Sequence, residues 1–131
     1  MACEEAWTLL ADRGVGRIGL SIGAMPAIFP VEYTVVDDTV VLRTSAGSRI
    51  AAAASGAVVA FEVDDHERLH PSGWSVLMVG RAEVVHDSDL AGSVVRIRPE
   101  FVSGRRQAVR KPGASGTFGP VDLCSQQRPL N

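Results

Sequence analysis

The sequence predicts a mainly β domain, an antiparallel sheet that curls or closes on itself, with short flanking helices. Three observations carry this. Apolar residues recur every second position in the clearest segments, such as 15–22 and 76–82. The segments follow one another in the order β-β-β-α-β-β-β. The turns between them are too short for the helical crossovers that a parallel sheet requires. Only seven of the 131 residues are aromatic, so Val, Ile, Leu and Ala must fill the core.

Each element has its own signal. Cys3 to Arg13 reads as a helix: Ala6, Trp7, Leu9 and Leu10 share a face, Glu4 and Glu5 occupy the first turn, and Gly14 follows the end. Val15 to Ile22 alternates as a strand with one apolar face. Gly23-Ala24-Met25-Pro26 is a turn, and Ala27 to Val36 a second strand in which Pro30 requires an edge or a bulge. Asp37-Asp38 closes a hairpin onto Thr39 to Thr44. Ser48 to Ser55 reads as a short Ala-rich helix closed by Gly56. Strands follow at Ala57 to Asp64, at Trp74 to Val85 and at Val94 to Val102. Gly80 inside the second of these implies a bulge or a close backbone approach. Residues 65–73 and 86–92 are expected as connections, and residues 107–131, with no period, as a flexible tail outside a domain of residues 1–106.

The formal net charge of −2 argues against nucleic acid as a partner, since such domains concentrate cations. No apolar run approaches the roughly 20 residues of a membrane helix, and the N-terminus lacks the basic region of a signal peptide. A cytoplasmic location with no membrane partner is the expectation. Cys3 and Cys124 in such a chain are poor evidence for a disulfide, and Cys3 has no His partner to make it a nucleophile. Lys111 is the sole lysine beside twelve arginines, a skew read mainly as coding bias.

Three constellations carry candidate chemistry. His66-Glu67-Arg68-Leu69-His70 matches the H-E-x-x-H zinc pattern, which needs both imidazoles on one helix face. Here a strand leads straight in and Pro71 follows at once, so a solvated loop without metal is expected. Arg43-Thr44-Ser45-Ala46-Gly47-Ser48-Arg49 runs from a strand end past a glycine into a helix. Hydroxyls, free backbone and arginines suit a phosphate dianion. A helix cap with two solvated arginines accounts for the same residues. Third, Trp74 at a strand start can be core, interface or a wall beside a planar ligand. No side chain is singled out as a catalytic acid, base or nucleophile.

Taken in order, Val15-Gly16-Arg17-Ile18, Pro30-Val31-Glu32-Tyr33, Arg43 to Arg49, Val59 to Asp65, Gly73-Trp74-Ser75-Val76 with Val79 to Ala82, Arg96-Ile97-Arg98-Pro99 and Ser103 to Arg106 resemble the pyridoxamine 5′-phosphate oxidase-like family of FMN-binding split β-barrels, in particular its short actinobacterial members. The resemblance spans about residues 3 to 106. It implies a six-stranded antiparallel split barrel and a homodimer with FMN in clefts between subunits. It assigns the flavin phosphate to Thr44, Ser48 and Arg49, with Ser45 beside them, and lays Pro30, Val31, Glu32 and Tyr33 along the isoalloxazine ring. Trp74 and Ser75 stand where the family places a residue near the ring. Two departures are visible. The better-characterised oxidases carry an Arg early on the second strand and a Lys after the matched Arg, whereas here that strand has no basic residue and Ile50 follows Arg49. The stretch from His86 to Ser93 also lacks the longer, partly helical insertion of close relatives. The expected function is an FMN-dependent oxidoreductase of unknown substrate. The alternatives are a deazaflavin-dependent reductase using Arg105, Arg106 and Arg110 for an anionic coenzyme tail, and a dimer without catalytic cofactor.

Overall fold

The computed structural model describes residues 3–45, 48–65, 72–87, 92–108 and 122–127. Helix α1 (Cys3–Ala11) precedes β1 (Val15–Ile22), β2 (Met25–Val36) and β3 (Thr39–Ser45). Helix α2 (Arg49–Ala54) leads into β4 (Val58–Asp65), β5 (Ser72–Asp87), β6 (Gly92–Ala108) and β7 (Asp122–Gln127). The strands are hydrogen-bonded in the order β3-β2-β1-β4-β5-β6-β7, every pairing antiparallel. A further β3–β6 pairing closes β1 to β6 into a six-stranded barrel.

Closure depends on the length of β5 and β6. The first half of β6 lies between β3 and the end of β5, and its second half lies against the start of β5. The two strands bend at a register shift between Val79 and Gly80. A Cβ on Gly80 would collide with the Arg98 carbonyl, so this close approach admits no side chain. The barrel interior takes the alternate residues of each strand: Ile18, Leu42, Phe61, Met78 and Ile97 are fully buried, and Leu10 of α1 joins them. Pro30 pairs with Arg17 on one side, and the β2–β3 ladder begins only at Tyr33, so the proline sits where the other edge of β2 is free.

Two expectations are corrected. Within 107–131, Asp122–Gln127 forms a strand along Phe101–Arg106, and β6 itself continues to Ala108. Beyond the reach of β3, the second half of β6 presents one unpaired edge, and β7 satisfies those backbone groups. Cys3 is disulfide-bonded. The pairing of β7 brings the Cys124 backbone opposite Gly104, on the side of the barrel where α1 packs, a proximity that spacing in sequence does not reveal. The H-E-x-x-H segment at 66–70 lies outside the described residues.

Candidate functional site

The β2–β3 hairpin shapes a concavity on the barrel's outer face. Asp37 and Asp38 have φ of 49° and 57°, the left-handed pair of a tight two-residue hairpin turn. That turn sets Tyr33 opposite Leu42 and Thr34 opposite Val41. Tyr33 and Leu42 therefore face the core, while Glu32, Thr34, Val41 and Arg43 face outward. With Gly14 and Val15 they line an open groove of about 390 Å³.

Tyr33 builds the groove's edge rather than its floor. Its backbone N–H donates to the Gly14 carbonyl at 3.0 Å, and its hydroxyl donates to the Leu10 carbonyl at the end of α1. Its ring meets Phe61 edge-on, with centroids 4.9 Å apart. Burial pushes the phenol up to about 12, and the positive charge of Arg13 offsets part of that. Glu32 and Arg43 are the groove's two charged side chains. They follow the same register on neighbouring strands, yet both are exposed and neither makes an ion pair or side-chain hydrogen bond among the described residues. Opposite charges placed across a strand pair ordinarily attract, so the groove keeps an acceptor and a forked donor available.

Polar groups continue past Arg43. Thr44 turns inward opposite the buried Ser93, and its hydroxyl oxygen is buried with no hydrogen-bond partner among the described residues. A buried hydroxyl without a partner costs about 1–3 kcal/mol, so it calls for an explanation. Ser48 caps α2, its Oγ accepting from the Ala51 N–H at 3.0 Å, and its own O–H remains available to donate. Arg49 is exposed, with no ion pair among the described residues. Three hydroxyl residues, Thr44, Ser45 and Ser48, the first with its hydroxyl buried, and Arg49 thus lie within six residues of the groove's Arg43.

Comparison with known proteins decides the family. The sequence model described as pyridoxamine 5′-phosphate oxidase matches residues 3–117. The chain belongs to the pyridoxamine 5′-phosphate oxidase family. The uncharacterized protein Rv0080 of Mycobacterium tuberculosis is 35% identical, over 79% of this chain and 81% of that one. The solved structure of the FAD binding protein from Mycobacterium smegmatis is 32% identical, with a TM-score of 0.71 over 81% of this chain and 97% of that one. A FAD-binding protein of Mesorhizobium loti shares the fold at 23% identity and a TM-score of 0.67, over 84% and 96% of the two chains. The six-stranded barrel matches this flavin-binding split-barrel fold.

The structure places the residues expected for this family apart. Glu32 and Tyr33 line the groove, while Thr44, Ser45, Ser48 and Arg49 follow across the β3 end and the start of α2, outside its lining. Pro30 is exposed on the outer face of β2, and Val31 turns into the core. Trp74 and Ser75 lie at the start of β5, separated from β2 by β1 and β4. Trp74 is 9% exposed and covered by the Arg13 guanidinium, 5.9 Å from the ring centroid, which also pairs with Asp65. Sequence reading left Gly14, Val15, Thr34 and Val41 out of the site. Their signal was the Asp-Asp turn, which sets the register that brings them together. The carboxylate with a raised pKa lies elsewhere: Glu62 on β4 is pushed up first by burial and then by Asp64, while Arg17 at 2.7 Å pulls it down.

Proposed function

We propose that this chain is an FMN-dependent oxidoreductase, with the flavin ring in the β2–β3 groove and its phosphate at Thr44, Ser48 and Arg49. The observation that carries the reading is the unpartnered Thr44 hydroxyl at the end of the strand that lines the groove. A phosphate oxygen is an acceptor for that hydroxyl, for the Ser48 O–H and for the Arg49 fork. Ser45 adds a further hydroxyl on the same turn. The M. smegmatis relative, a FAD binding protein, supports a flavin as the ligand. The flavin supplies hydride or electron transfer, and the protein supplies binding and orientation.

The open side of the groove favours a homodimer. One cross-strand row on the outer wall, Ile28, Gly19, Ala60, Val79 and Phe101, runs apolar across five strands. Ile28 is 73% exposed, and Leu77 and Val58 beside the row are 41% and 53% exposed. Contiguous exposed apolar surface of this kind marks an association site. A second copy would supply the groove's missing wall; Trp74, buried beneath Arg13, does not offer its ring for that role.

The test is the absorbance spectrum of the purified protein, followed by FMN titration. We expect a yellow protein or saturable FMN binding, weakened in Arg49→Ala by about 1.5–3 kcal/mol, the scale of a charged hydrogen bond. A colourless protein that does not bind FMN sinks the reading. Binding of a deazaflavin coenzyme in its place redirects the reading to that cofactor, and a stable dimer whose melting temperature neither shifts makes the chain a cofactor-free protein.

A further inference from the structure

Next to the groove, the outer wall of the barrel carries an unusual density of positive charge. The register settles which side chains share this wall. Arg43 and Val41 of β3 face Val94 and Arg96 of β6. Arg96 and Arg98 of β6 face Glu83 and Arg81 of β5. Residues directly opposed in an antiparallel pair lie on the same face, so Arg43, Arg96, Arg98 and Arg81 form one row across three strands, with Glu83 as the opposing charge in it. All four arginines are exposed.

The row is not neutralised among the described residues. Arg43, Arg96 and Arg98 make no ion pair or side-chain hydrogen bond among the described residues, although Glu83 stands opposite Arg96. Arg81 commits one donor to the Gly56 carbonyl at 3.1 Å and keeps the rest of its fork. Arg81 and Arg98 oppose each other directly, an arrangement of like charges that destabilises a strand pair unless an anion lies between them. Four positive charges are thus gathered on one wall of a chain whose net charge is −2. Such a patch attracts anions locally whatever the overall charge. It begins at the groove, because Arg43 and Val41 line both.

We infer that this arginine row is a binding site for a polyanion of the diphosphate class, separate from the phosphate contacts at Thr44, Ser48 and Arg49. Diagonal neighbours across a strand pair stand about 7–8 Å apart, within the joint reach of two arginine side chains onto one diphosphate. The diphosphate belongs either to a larger cofactor whose ring occupies the groove or to a separate anionic substrate arriving beside it. Guanidinium forks match phosphate oxygens bidentately, which makes the row selective for oxyanions over halide.

Calorimetric titration of the whole chain with inorganic pyrophosphate at low ionic strength, without flavin, tests the site. We expect saturable binding, tighter than that of inorganic phosphate. In the double variant Arg96→Gln/Arg98→Gln, binding weakens on the order of tenfold or more. Arg17→Gln, on β1 across the barrel from β6, removes the same charge from outside the row and changes the affinity by less than about twofold. Both row residues are exposed, so circular dichroism should match the wild type. Absent pyrophosphate binding, binding unaltered in the double variant, or an equal loss in Arg17→Gln each overturns the inference. Parallel titrations with FAD and FMN identify the source: loss of FAD affinity alone places the diphosphate on the cofactor, unaltered flavin binding leaves a separate anionic substrate, and equal loss for both puts the shared phosphate on the row and overturns the separate site. Failure of the flavin reading is distinguishable, because FMN binding then vanishes while the pyrophosphate response persists.

Discussion

Tyr33 is the chain's single tyrosine, so its ionisation can be followed without interference. Its hydroxyl joins β2 to the end of α1 and so holds the Gly14 turn at the edge of the groove. In Tyr33→Phe the Leu10 carbonyl loses that donor but keeps the Arg13 N–H at 3.3 Å. The acceptor is not stranded, so the cost falls near the net value of one hydrogen bond, about 1 kcal/mol, rather than the larger penalty of a buried unpaired group. The pH dependence is the sharper signature. The folded phenol is raised to about 12 from an ordinary value of 10. Because the folded value lies above the unfolded one, its stabilising contribution is complete below pH 10 and is lost as the pH climbs through 12. Two pH units correspond to about 2–3 kcal/mol. The assay is urea unfolding from neutral to strongly alkaline pH, with phenolate absorbance recorded in parallel. Wild type should lose stability over that window, and Tyr33→Phe should lose none of that portion. Phenolate appearing at the ordinary pH in the folded protein, or identical alkaline losses in both proteins, would refute the reasoning.

Two further substitutions separate packing from ligand binding. Gly80→Ala drives a Cβ into the Arg98 carbonyl at the bend of β5 and β6. It should cost about 1–3 kcal/mol in denaturant unfolding, the range for overpacking, and a neutral result would mean that the bulge can relax. Thr44→Val replaces an unpartnered buried hydroxyl with a methyl group. Stability of the flavin-free protein should hold or rise by about 1 kcal/mol, while FMN affinity falls about tenfold, and a variant that binds FMN as well as wild type removes Thr44 from the phosphate site.

Much of the barrel was legible locally. Alternation marked β1, and the paired aspartates marked the hairpin because few other residues accept two successive positive φ values. Ser48 and Gly56 bracketed α2 through their capping chemistry: the serine accepts the Ala51 N–H, and the glycine takes a φ of +70°. The candidate site was half legible. Thr44 to Arg49 are contiguous, so their chemistry can be read together, whereas Gly14, Glu32 and Arg43 come from the α1–β1 turn, β2 and β3. Nothing in the composition announced β7, which has little apolar character and pairs through its backbone.

What the sequence by itself determined is the two helices and the six barrel strands, their antiparallel order and the hydroxyl- and arginine-rich character of the β3–α2 turn, all of which depend on neighbours within a few residues. Only the tertiary structure decided where the barrel closes, which arginines share a wall, and that Tyr33 and Trp74 turn inward. Those outcomes depend on register. A shift of one residue in a strand pair sends every side chain to the opposite face, and that register is set by turns and bulges acting across the whole sheet.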